Sequence, residues 1–134
     1  MKIYWDSSAL LLYWLEGRER EIKGVTRVHS LVEVFGTITG RGIPQQGGTF
    51  LKLEADLAAR VLADIAGRLE YVELDTATVL KALKEAKKRA VRGGRIHDYM
   101  HALAAEKAGA EEIWTTDAND FTGLSSIPFK DVSK

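Results

Sequence analysis

Ile3-Tyr4-Trp5-Asp6-Ser7-Ser8-Ala9-Leu10-Leu11-Leu12 is the stretch on which the fold turns. A short apolar run that stops at an acid reads as a buried strand, Ile3 to Trp5. Ser7 to Leu15 then reads as a helix, ended by Gly17 and the charged run Arg18-Glu19-Arg20-Glu21. The same alternation continues along the chain. Val25 to His29 predicts a second strand and Leu31 to Ile38 a second helix, followed by a loop carrying Gly40, Gly42, Pro44, Gly47 and Gly48. From Glu54 to Leu69 the apolar positions Leu57, Val61, Ile65 and Leu69 recur every four residues, a helical stripe. Tyr71 to Leu74 predicts a third strand, and Asp75 starts a helix through Val79, Leu83, Ala86 and Ala90 that stops at Gly93-Gly94. Asp98 opens another helix, closed by Gly109; Ile113 to Thr116 is a fourth strand, and Ile127 to Phe129 a weaker fifth. Strands that alternate with helices need crossover connections, so the sheet is expected to be mainly parallel. The expected fold is a three-layer α/β/α sandwich with a mainly parallel four- to five-stranded sheet, one domain over 1–134.

Composition bounds the chemistry. A chain of 134 residues buries roughly two thirds of its unfolded surface in one domain. The absence of cysteine removes disulfides, zinc ribbons, iron–sulfur centres and thiol catalysis. Lys and Arg balance Asp and Glu at 19 each, which argues against wholesale coating of nucleic acid but permits a local basic patch. The apolar run Ala9 to Leu15 is far short of the ~20 residues that span a bilayer. Asp6 stands where a signal peptide would carry basic residues, so the expected location is cytoplasmic.

Ligands of an open parallel sheet bind beyond the carboxyl ends of its strands. Asp6 follows the first strand there, Glu33 lies in the first turn of the helix after the second, and Asp117 follows the fourth. Asp98 begins the helix that leads into that fourth strand, and Asp120 lies three residues beyond Asp117. Each acid has a plain structural explanation. Asp6, Asp98 and Asp117 occupy N-cap-like positions, and Ser30 with Glu33 fits a capping box. Asp75, which also follows a strand and starts a helix, reads as a plain cap. As a set, however, clustered carboxylates repel one another unless a cation neutralises them. Hard oxygen donors at an open site suit Mg²⁺ or Mn²⁺.

Four pieces in order carry a resemblance: Ile-Tyr-Trp-Asp6-Ser-Ser-Ala-Leu, Ser30-Leu-Val-Glu33-Val, His97-Asp98-Tyr-Met-His-Ala-Leu-Ala-Ala, and Trp-Thr115-Thr-Asp117-Ala-Asn-Asp120-Phe121. Together they resemble a PIN domain, most of all the small VapC-type toxin nucleases. The resemblance implies that Asp6, Glu33, Asp98 and Asp117 form the catalytic, metal-holding set, with Asp6, Asp98 and Asp117 as metal ligands. It implies supporting roles for Ser8, Thr115 and Asp120. It further implies Mg²⁺- or Mn²⁺-dependent hydrolysis of RNA phosphodiesters, homodimers, and neutralisation by a small antitoxin protein. The segment between the first helix and the second strand is shorter and more polar than is usual in that family.

Other features have a place in this reading. Lys84, Lys87, Lys88, Arg89, Arg92 and Arg95 form a basic run leading to Asp98, with Lys87, Lys88, Arg92 and Arg95 as candidate RNA contacts. A solvated helix end would explain the same run. His101, three residues after Asp98, is expected to hydrogen-bond a ligating group or simply to pack; a zinc pair with His97 lacks a further ligand. Leu10, Leu11, Leu12, Trp14 and Leu15 make the first helix apolar nearly all round, as in a buried helix or a dimer interface. Two alternatives stand beside the nuclease. One is a PIN-like module that binds RNA or protein without cutting. The other is a phosphate-accepting receiver domain using Asp75 and Lys130.

Overall fold

A computed structural model describes every residue, Met1–Lys134. Five strands form the main sheet: β1 (Ile3–Trp5), β2 (Gly24–Thr26), β5 (Leu69–Tyr71), β6 (Glu112–Thr115) and β7 (Phe129–Asp131). Their order is β5-β2-β1-β6-β7, and all four pairings are parallel. The helices are α1 (Ser7–Leu15), α2 (Val28–Gly36), α3 (Ala55–Ala66), α4 (Thr76–Glu85) and α5 (Arg95–Ala108). None is long and apolar enough to cross a membrane.

Strand periodicity explains the layers. Successive side chains of β1 point to opposite faces, so Tyr4 and Trp5, both fully buried, enter different cores. Tyr4 packs in the cluster of Ala82, Tyr99, Met100, Ala102 and Ile113 on the α4–α5 side. Trp5 packs in the cluster of Leu10, Tyr13, Val34, Ile38, Leu62 and Ile65 on the α1–α3 side. The sandwich is the expected one. β1 and β2 approach closely where β2 begins. Gly24 has φ +135°, and a Cβ there would stand 2.3 Å from the Ile3 carbonyl oxygen, so only glycine fits.

Boundaries moved where tertiary pairing overrode local pattern. β2 ends at Thr26, and α2 starts at Val28 instead of Leu31, which makes His29 and Ser30 helical. β5 lies at Leu69–Tyr71, two residues before the expected strand, because Leu69 pairs with Gly24 and Tyr71 with Thr26. α5 starts at Arg95, so Asp98 sits inside the first turn and does not cap the helix. The glycine-rich loop is partly ordered: a π-turn at Thr37–Arg41 leads to an antiparallel hairpin of β3 (Ile43–Pro44) and β4 (Phe50–Leu51). Of the basic run, Lys87, Lys88 and Arg89 lie beyond α4 in a 3₁₀ turn at Ala86–Arg89, which ends with Ala90 at φ 55°.

Candidate functional site

The sheet order decides where the site is. The chain moves outward from β1 to β2 to β5, then returns through α4 and α5 to lay β6 on the other flank of β1. The reversal makes a switch point at the carboxyl ends of β1 and β6, the place where open α/β sheets bind their ligands. Asp6 follows β1 and Asp117 follows β6, so these two acids flank the switch point.

Asp6 is 5 % exposed and is the N-cap of α1: its Oδ1 accepts from the Ala9 N–H at 2.9 Å and from Ser8 Oγ at 2.7 Å. Its backbone N–H donates to the Trp114 carbonyl at 3.1 Å. Ser8 Oγ also accepts from the Thr116 N–H at 3.0 Å and lies 3.4 Å from Thr115 Oγ1. Thr115 Oγ1 in turn accepts from the Asp117 N–H at 3.0 Å. Ser8 and Thr115 therefore tie the ends of β1 and β6 together beneath the acids. Burial raises the pKa of Asp6; the nearby His101 imidazole and hydrogen bonds from Thr115, Ser8 and Ala9 only partly offset it. Ser8→Ala should cost about 1 kcal/mol, the typical worth of a hydrogen bond, in a urea unfolding midpoint at constant m value.

Asp98 is the acid on which the neighbouring carboxylates act. Burial raises its pKa first, then the charge of Asp120, with Asp6 and Asp117 adding and His101 opposing; the carboxyl is pushed from 3.8 up to about 6. Carboxylates at the end of β1, on α5 and in the turn after β6 thus share one field. Asp75 gives the contrast. It caps α4, accepts from the Thr78 N–H at 2.7 Å, and is held below its ordinary value by that bond. Asp75 follows β5 on one edge strand and Lys130 lies on β7, the opposite edge, which excludes a receiver-type pairing of the two.

Glu33 reaches the site through His101. Ser30 and Glu33 do not form a capping box: α2 has no side-chain cap, Ser30 Oγ bonds Thr26 Oγ1 at 2.7 Å, and Glu33 Oε1 lies 3.0 Å from His101 Nε2. Burial would raise Glu33, but the hydrogen bond from His101, with the nearby imidazoles adding, holds it below the usual carboxylate range. The other ring nitrogen of His101, Nδ1, lies 2.6 Å from the hydroxyl of Tyr4. Sequence reasoning missed Tyr4, because a partner 97 residues away leaves no local signal. It also placed Asp120 last among the acids, although Asp120 is the first of the charges acting on Asp98.

Two expectations shift. Arg95 Nη2 donates to the Thr122 carbonyl at 2.7 Å, and Arg89 Nη1 reaches the Gly123 carbonyl at 3.5 Å, so these cations brace the turn after Asp120. Lys87 and Arg92, with Ala90 and Val91, line an open hollow of about 580 Å³; neither they nor Lys88 enters a salt bridge. His97 is exposed while His101 is buried, and no three His, Asp or Glu side chains close around a common point. The acids form an open donor set. Its fit to a hard cation lies in charge and oxygen chemistry, because neighbouring carboxylates leave Asp98 with uncompensated repulsion.

The whole chain aligns with a chain of VapBC-1 from nontypeable Haemophilus influenzae at a TM-score of 0.68, covering 100 % of both. The two share one fold. Their sequences are only 14 % identical, so the likeness to VapBC-1 resides in the backbone path and not in residue identity. No family model matches the sequence, and no curated protein matches it.

Proposed function

We propose that the chain is a metal-dependent ribonuclease of the VapC type, the toxin of a toxin–antitoxin pair, acting with Mg²⁺ or Mn²⁺. The feature that carries the reading is the gathering of Asp6, Asp98, Asp117 and Asp120, from β1, α5 and the turn after β6, at the switch point of the sheet, where burial and the charge of Asp120 hold the Asp98 carboxyl above the usual range. Asp6, Asp98 and Asp117 are the proposed ligands. Such a cation supplies polarisation of a phosphoryl oxygen and acidification of a water. The chain's own residues do the rest. Ser8 and the Ala9 N–H fix the rotamer of Asp6, and Thr115 fixes the backbone at Asp117. Asp120 adds negative potential beside Asp98. His101 keeps Glu33 ionised, as a base or water-orienting carboxylate requires. Lys87, Lys88 and Arg92 are free to meet an RNA backbone, and Arg95 serves the fold first.

The shared fold with VapBC-1 supports an antitoxin partner for this reading; the homodimer that the sequence resemblance implies is part of the same proposal. Incubation of labelled single-stranded RNA with the purified protein and Mn²⁺ should give cleavage that EDTA abolishes and Mn²⁺ restores. Cleavage indifferent to chelation would defeat the metal mechanism. RNA that is bound but never cut would favour the non-catalytic module. Expression of the chain should arrest growth, and the product of an adjoining short reading frame should relieve the arrest.

A further inference from the structure

Tyr4, His101 and Glu33 belong to three different parts of the sandwich. Tyr4 is on the central strand β1, His101 on α5 in one helical layer, and Glu33 on α2 in the other. His101 is 2 % exposed and Tyr4 fully buried, with the two rings edge-on at 5.7 Å between centroids. The bond from His101 to Glu33 is the one side-chain hydrogen bond between α2 and α5. An ionised carboxylate only accepts, so Nε2 of His101 carries a hydrogen toward Glu33. A neutral ring then presents a lone pair at Nδ1, which matches a hydroxyl donor at 2.6 Å. The Tyr4 phenol carries the O–H that donates to it. One orientation satisfies all three groups.

We infer that Tyr4 and His101 are positioning residues that clamp Glu33 across the end of the sheet, Tyr4 O–H bonding His101 Nδ1 and His101 Nε2–H bonding Glu33. The assignment rests on the nuclease reading for its catalytic consequence. The hydrogen-bond chain itself does not need that reading. Outer partners that orient a functional carboxylate or ligand typically govern activity by about 10- to 100-fold.

The test labels the three histidines with ¹⁵N and reads ring signals in the metal-free protein. Wild type should show one ring locked as the Nε2–H tautomer with a hydrogen-bonded Nδ1. Tyr4→Phe should displace that Nδ1 resonance, and Glu33→Ala should abolish the lock. In RNA cleavage, Tyr4→Phe should lower kcat about 10- to 100-fold with KM changed by less than about twofold, because no substrate contact is lost. If Tyr4→Phe does not fold, His101→Gln, which still reaches Glu33, should retain more kcat than the shorter His101→Asn. A ring locked as Nδ1–H, an unmoved Nδ1 in Tyr4→Phe, an unchanged kcat, or equal kcat in the two His101 variants overturns the inference. Expected spectra from a protein that cuts no RNA would uphold the clamp while removing the nuclease reading.

Discussion

Asp6→Asn and Asp98→Asn should each slow RNA cleavage by about a thousandfold, the equivalent of about 4 kcal/mol of lost transition-state stabilisation. Each substitution keeps the shape of the side chain and removes one negative charge. In Asp6→Asn the amide oxygen can still accept from the Ser8 and Ala9 donors that hold Asp6, so the start of α1 should survive. What disappears is the anionic field at the switch point between β1 and β6. Single-turnover cleavage of an end-labelled RNA in Mn²⁺ reads the effect, with circular dichroism as the check on folding. Asp75→Asn is the matched control and should cut at the wild-type rate, since Asp75 caps α4 and follows the edge strand β5. Wild-type rates from both switch-point variants would remove these aspartates from the chemistry.

The Asp98 carboxyl should make the fold less stable as pH rises from about 4 to about 6. Its pKa is raised from 3.8 to about 6 in the folded chain. Between those values the folded state holds a proton that the unfolded state has released, so raising the pH favours unfolding. The penalty is absent below the lower value and complete above the upper one. The full shift would amount to about 3 kcal/mol. Asp98 is only half buried, so screening by water reduces this to about 1–2 kcal/mol. Asp98→Asn should therefore be more stable than wild type by about that amount at pH 7 without metal, and no more stable at about pH 3.5. Mn²⁺ should raise the melting temperature of wild type by selective binding to the folded state, and raise that of Asp98→Asn far less. Thermal melts over this pH range, with and without Mn²⁺, measure both effects. A variant less stable than wild type at pH 7, or one stabilised equally by Mn²⁺, would contradict the electrostatic account.

Particular residues show why some of the site was readable and some was not. Asp6 was legible because a strand, an acid and a helix follow one another within a few residues, and its cap bond to Ala9 is equally local. Ser8 and Thr115 were placed by resemblance, and their contacts span 107 residues of chain. Ser30 and Glu33 carry the spacing of a capping box, yet α2 begins before them and both side chains turn to distant partners, Thr26 and His101. Three-residue spacing is common to a cap and to one face of a helix, so pattern could not choose between them. Asp98 has the sequence context of a cap, but the helix starts at Arg95; Arg95 has that of an RNA contact, but its guanidinium is bonded to Thr122.

Local sequence carried the alternation of strands with helices in a four- to five-stranded sheet and the acids that fall at strand ends, because apolar period and capping act between residues close along the chain. Only the tertiary structure decided that β6 lies beside β1, that Asp120 acts on Asp98, and that Tyr4 reaches Glu33 through His101. Those choices depend on which buried faces pack together and which polar groups find partners across many tens of residues. That competition is settled by the whole core at once, not by any single segment.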